Sequence, residues 1–224
     1  MEQQIVDFLP RNVRIVLMKE REKGHLIVIE GGLGAGKTTV KKGLEKELKD
    51  WKFLREPGGT GFGEMMREAV QGDHQHEVDP LASFLSYSAS RANLVALEIL
   101  PAINEGTNVL LDRFWYSSYA YQGEAEGVEK EFILAVSARV SRGLEPDLVL
   151  HYDLMPEIGK KRKSGCDDVD RYDKREIEFH CKVRKAYMEL SEMYPDIWRT
   201  IDASQKADKV LQDSLEILEE FGLL

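Results

Sequence analysis

The chain has 224 residues, of which 42% are hydrophobic and 32% charged, and it carries a formal charge of -9 at pH 7. That length suits one large domain with a full apolar core, and the composition is ordinary for a globular protein. The acidic balance argues against nonspecific binding to nucleic acid or anionic membranes, although a local basic cluster could still hold a small anion.

Residues 1–24, MEQQIVDFLPRNVRIVLMKEREKG, read as an N-terminal extension of one or two short helices, with Gly24 at its boundary. Acids come early and Pro10 separates short apolar runs, so the segment is neither a signal peptide nor a membrane span. From residue 25 to 224, short apolar runs alternate with longer helical patterns, which favours a parallel sheet with crossover helices. Strands are expected at 25–30, 52–56, 108–112, 147–154 and, more weakly, 197–203. Helical patterns cover 37–50, 62–72, 80–104, 129–142, 156–162, 171–193 and 205–221. The stripe Phe179, Val183, Ala186, Leu190 and Met193 is core packing. Cys166 and Cys181 have neither metal spacing nor a disulfide framework, which fits a reduced cytoplasmic setting. His74 and His76 read as surface residues and His151 as a core histidine.

The first strand runs into Gly31-Gly32-Leu33-Gly34-Ala35-Gly36-Lys37-Thr38-Thr39, which fits the phosphate-loop pattern GxxxxGK[ST] in its strand–loop–helix context. Glycines let backbone N–H groups surround a phosphate, and the following helix N-terminus adds partial positive charge. Lys37 is expected to bridge the β- and γ-phosphates of a nucleoside triphosphate, and the Thr38 hydroxyl to sit on Mg²⁺. Asp112 ends the strand NVLLD, at the carboxyl end where ligands of an open α/β sheet gather, and would face the same Mg²⁺, directly or through water. No NKxD guanine-reading sequence follows. Arg55, at a strand end before Gly58-Gly59, and Arg113, beside Asp112, suit a phosphate clamp because guanidinium binds phosphate oxygens in pairs. Tyr87 and Arg91 are four residues apart and share a helix face.

The segments FLREPGGTGFGEMMREAV, YSASRANL, LLDRFWYSSYAYQG and DDVDRYDKREIEF, in this order after the loop, resemble the thymidylate kinases. The resemblance implies a P-loop αβα fold with a five-stranded parallel sheet and a mobile lid. It also implies Mg²⁺-dependent transfer of the ATP γ-phosphoryl group to dTMP, usually in a homodimer, with no nucleic-acid or membrane partner. By the same resemblance Arg55 and Pro57 lie by the acceptor phosphate, with a cis bond before Pro57 expected. Tyr87 stacks on the base, Arg91 bonds a pyrimidine oxygen, and Ser118 and Tyr121 line base and sugar. Residues 160–172 read as the lid, with Arg162 and Arg171 joining Lys37 and Arg113 as catalytic cations.

Leu33 departs from the pattern, because many members carry there an acid that contacts the sugar 3′-hydroxyl. The lid is richer in acids than usual, and Phe114-Trp115-Tyr116 is bulkier. These departures keep open a related kinase with another acceptor, such as dUMP, another deoxynucleotide or a nucleoside. A non-catalytic ATP-binding protein would instead show a degraded acceptor site, whereas Arg55, Tyr87, Arg91 and Arg113 are all present.

Overall fold

The computed structural model describes residues 23–72, 76–165 and 170–224. The expected helices of residues 1–22, together with His74 and Cys166, lie outside the described residues. All five expected strands form: β1 (Leu26–Gly31), β2 (Lys52–Arg55), β3 (Val109–Asp112), β4 (Leu148–Asp153) and β5 (Trp198–Asp202). They make one parallel sheet in the order β2-β3-β1-β4-β5. β1 is therefore central, with β3 and β2 on one side of it and β4 and β5 on the other.

The sheet is buried on both faces, and residue alternation along β1 shows how. Leu26 and Val28 belong to one apolar cluster, Ile27 and Ile29 to the other. The first cluster packs under α3 (Pro80–Leu94), α6 (Lys130–Val140) and α8 (Ile177–Met193). The second lies under α1 (Lys37–Glu47) and α9 (Ala207–Glu220). A strand covered on both faces reads as a continuous apolar run, which LIVI does.

α2 (Gly61–Gln71) starts at Thr60, whose side chain accepts from Gly63 N–H at 3.0 Å. α3 starts on the Asp79 carboxylate, with Pro80 in the first turn, where a missing N–H costs nothing. It continues through a π-helical stretch, Val95–Ile99, into α4 (Leu100–Asn104). Pro101 follows that widened stretch and donates no backbone hydrogen bond. α7 (Pro156–Lys163) follows β4.

Two helical expectations need adjustment. α8 begins at Ile177 and not at 171, because the Asp170 carboxylate accepts from Tyr172 and Asp173 N–H at 2.8 and 2.9 Å and folds that stretch into a turn. The stretch after Asp112 is helical, although no helix was expected there: α5 (Trp115–Ser118) runs into a π-helical segment, Tyr119–Ala125. Its period is hidden because nearly every side chain from Phe114 to Gly123 is buried.

Candidate active site

The phosphate loop leaves β1 at Gly31 and enters α1 at Lys37. Gly34 and Gly36 take left-handed φ of 63° and 84°, which side chains resist. Gly34 has a second constraint, since a Cβ there would lie 2.6 Å from the Gly159 carbonyl oxygen on α7. Lys37 folds back along the loop, and its Nζ donates to Gly31 O at 3.1 Å. Burial, and next the charge of Arg113, pull its ammonium down to about 8.

The loop floors a cleft of about 710 Å³ that Arg55, Asp112, Arg113, Arg162 and Lys163 also line. Thr38 is exposed at its floor. Asp112 Oδ1 is buried with no hydrogen-bond partner among the described residues. An orphaned carboxylate oxygen and a threonine hydroxyl lining one cleft are donors suited to a hard oxygen-seeking cation such as Mg²⁺.

A narrow pocket of about 60 Å³ adjoins this cleft, walled by Tyr87, Arg91, Phe114, Ser118 and Tyr121. Arg91 is 2% exposed; its Nε donates to Glu56 Oε2 at 2.7 Å and its Nη2 to Ser118 Oγ at 3.2 Å. Its Nη1 is buried without a partner among the described residues, leaving a donor for a ligand. Burial raises the Glu56 carboxyl to about 7 against the pull of Arg91. Glu56 precedes a cis bond to Pro57, as the resemblance implies. Gln71 Nε2 donates to Tyr87 OH at 3.2 Å.

Arg113 lines both spaces. Its Nη1 donates to Ser117 Oγ at 2.9 Å and reaches Gly31 O at 3.3 Å, and its guanidinium lies 5.3 Å from the Tyr121 ring centre. Arg55 lines the larger cleft and is engaged by both carboxylate oxygens of Glu64, at 2.9 and 2.8 Å.

Residues 29–214 match the family model described as thymidylate kinase. A thymidylate kinase of Ligilactobacillus salivarius is 40% identical over 206 residues, covering 89% of this chain and 99% of its own. Those of Clostridium novyi and Deinococcus radiodurans are 39% and 37% identical, covering 85% and 89% of this chain and 96% and 98% of theirs. The chain belongs to the thymidylate kinase family. Its five-stranded parallel sheet between helical layers is the P-loop kinase fold that the sequence implied.

The two arginines expected in the lid part company. Arg162 reaches the phosphate-loop side, where its Nη1 donates to Ala203 O at 2.9 Å and Gly34 O at 3.3 Å. In this thymidylate kinase family member Arg171, expected beside the transferred group, turns toward α2 and α3. It donates to Val70 O at 3.3 Å and Ser83 Oγ at 3.4 Å, lies 3.8 Å from the Glu126 carboxylate, and covers the Tyr172 ring. It does not line the phosphate cleft. The reason is local: the turn at Asp170 sets Arg171 against α2 and α3, while Tyr172 takes the pocket side.

Several pocket residues escaped the sequence reading, namely Glu56, Gln71, Gln122 and Tyr172. Gln122 Nε2 donates to Tyr172 OH at 3.0 Å and so joins the π-helical segment to the turn before α8. Among the described residues no three His, Cys, Asp or Glu side chains gather as a metal cluster. His76 is exposed and His151 is buried, each where the sequence put it. No described helix is long and apolar enough to cross a membrane.

Proposed function

We propose that the protein transfers the γ-phosphoryl group of ATP to dTMP, giving dTDP and ADP, with Mg²⁺ as the required ion. The observation that carries this reading is Arg113, which lines at once the phosphate-loop cleft and the pocket of Tyr87 and Arg91. Its guanidinium thus stands where a donor phosphate chain and an acceptor monophosphate would meet.

Backbone N–H groups of residues 32–36 and Lys37 hold the donor phosphates, and Tyr87, Arg91 and Ser118 hold the base. Arg55 and Arg113 orient the acceptor phosphate so that its oxygen attacks the γ-phosphorus in line, with no covalent enzyme intermediate. Arg162 and Lys163 bring positive charge from α7 to the other side of the cleft. Thr38 and Asp112 would hold Mg²⁺, which offsets phosphate charge when bound. Arg171 serves better as an anchor of the lid on the acceptor side than as a cation on the transferred group.

The kinase domain spans residues 25–224 in this reading, with residues 160–172 as its lid. A homodimer fits the exposed apolar side chains Leu81 and Leu85, four residues apart on α3. The exposed free thiol of Cys181 fits a reducing cytoplasm.

The test is ADP release with ATP and Mg²⁺ when dTMP, dUMP, dGMP, dCMP, UMP and thymidine are offered separately, with products separated by chromatography. Preference for dTMP yielding dTDP is expected. Preference for another acceptor would move the function within the fold, and ATP binding without any turnover would sink the kinase reading.

A further inference from the structure

Arg113 has two properties that demand support. It is a non-glycine residue with a left-handed φ of 71°, at the sharp passage from β3 to α5. It is also a long side chain held in one place between two pockets. Both needs are met by one group that lines neither space, the Glu30 carboxylate at the end of β1, which is fully buried. Glu30 Oε1 accepts from Phe114 N–H at 2.8 Å, just beyond the left-handed residue, while Arg113 N–H donates to Ile29 O at 3.0 Å. Together these bonds pin the backbone on both sides of Arg113.

The other carboxylate oxygen acts on the side chain. Glu30 Oε2 accepts from Ser117 O–H at 2.7 Å and Tyr187 O–H at 2.9 Å. Those two hydroxyl oxygens are the ones Arg113 Nη1 approaches, at 2.9 Å for Ser117 and 3.5 Å for Tyr187. The direction of the bonds is what matters. The two hydroxyl oxygens also lie 3.0 Å from each other. A carboxylate, which only accepts, draws their protons to itself and leaves their oxygens to accept, the only polarity a guanidinium can use. We propose that Glu30 is a positioning residue for Arg113, fixing its backbone through Phe114 and its guanidinium through the hydroxyls of Ser117 and Tyr187. Because Tyr187 belongs to α8 and Ser117 to α5, the same carboxylate ties β1 to the helix that follows the lid.

This inference rests on the phosphoryl-transfer reading, and Glu30→Gln tests it. Glutamine has the same shape, yet its amide nitrogen would either face Phe114 N–H or donate to the hydroxyls and reverse their polarity. kcat and KM for ATP and dTMP are measured for E30Q, R113K and the double variant. E30Q is expected to lower kcat about 10- to 100-fold, as loss of an outer partner that orients a functional group does, with KM for ATP unchanged. The double variant should be no slower than R113K, since both changes remove one function. Wild-type kcat in E30Q, or losses that multiply in the double variant, would overturn the proposal. If E30Q does not fold by circular dichroism, Ser117→Ala carries the same cycle with R113K, and an unchanged kcat in S117A overturns it. The Arg113 guanidinium ¹⁵N–¹H resonances, identified by their absence in R113K, give a readout free of turnover. They should change from restricted to averaged in E30Q, and persistence of restricted signals overturns the proposal. A wild-type protein that phosphorylates no dTMP would instead sink the functional reading and leave this spectral test standing.

Discussion

Arg91 and Arg55 are both arginines of the proposed acceptor region, yet their surroundings assign them different energetics. Arg91 is buried against Glu56 and Ser118, so replacing it disturbs desolvated bonds. Arg91→Lys keeps a charge for Glu56 but loses the fork, and should raise KM for dTMP about 10- to 100-fold while KM for ATP stays the same. Steady-state kinetics with each substrate varied would show the split, and equal rises in both would contradict the placement. Arg55 is tied to the half-exposed Glu64 carboxylate, so an acceptor phosphate bound there, as proposed, would compete with an ion pair of the surface kind. Such a pair is worth up to about 1 kcal/mol, so Glu64→Gln should tighten dTMP binding by no more than about 5-fold. Calorimetric titration of E64Q with dTMP measures it, and weaker binding would mean that Glu64 serves the site in its own right.

At the level of elements, α7 sits directly on the phosphate loop. A methyl group at Gly159 would fall on the Leu33 carbonyl, and one at Gly34 on Gly159, so the two backbones touch with no side chain between them. Gly159→Ala should push α7 off the loop, destabilise the fold by about 1–3 kcal/mol and raise KM for ATP. Thermal denaturation and ATP-dependent rates would register both effects, and a neutral variant would show that the contact yields freely. This contact also explains what the sequence could and could not disclose. Gly34 was legible as a loop glycine, but its need for Gly159 depends on two segments meeting across more than a hundred residues. The strands were legible because each is a short apolar run between turn signals. Lys37, Asp112, Arg91 and Arg113 were legible because they sit at motif positions or strand ends. Gln122 and Tyr172 were not, since their contact arises from the turn at Asp170 and the π-helical segment, neither of which has a periodic signature, and Glu56 was not, since its partner Arg91 lies 35 residues away on α3. Arg171 stands away from the phosphate cleft for a related reason: composition shows a basic stretch, but only the backbone decides which way each cation turns.

For the molecule as a whole, acid stability should carry the mark of His151. Burial pushes its imidazole down to about 4, while in an unfolded chain it would titrate near 6.5. The folded state therefore refuses a proton that the unfolded state accepts, and stability falls as pH drops from 6.5 toward 4, by up to about 3 kcal/mol. His151→Phe preserves a ring beside Tyr187, at present 4.9 Å away between centres, and should remove this part of the pH dependence. Melting temperatures of both proteins across that window would decide, and parallel curves would rule His151 out. A last consequence concerns the Gly31 carbonyl, on which Lys37 and Arg113 both rest. Two cations converging on one oxygen form a single reservoir of positive potential, shared between donor and acceptor. The first nucleotide to arrive relieves the mutual repulsion of both cations, and the second meets a weaker field. Without a divalent ion, each nucleotide should thus lower the other's affinity by the same factor, the reciprocity that linkage requires.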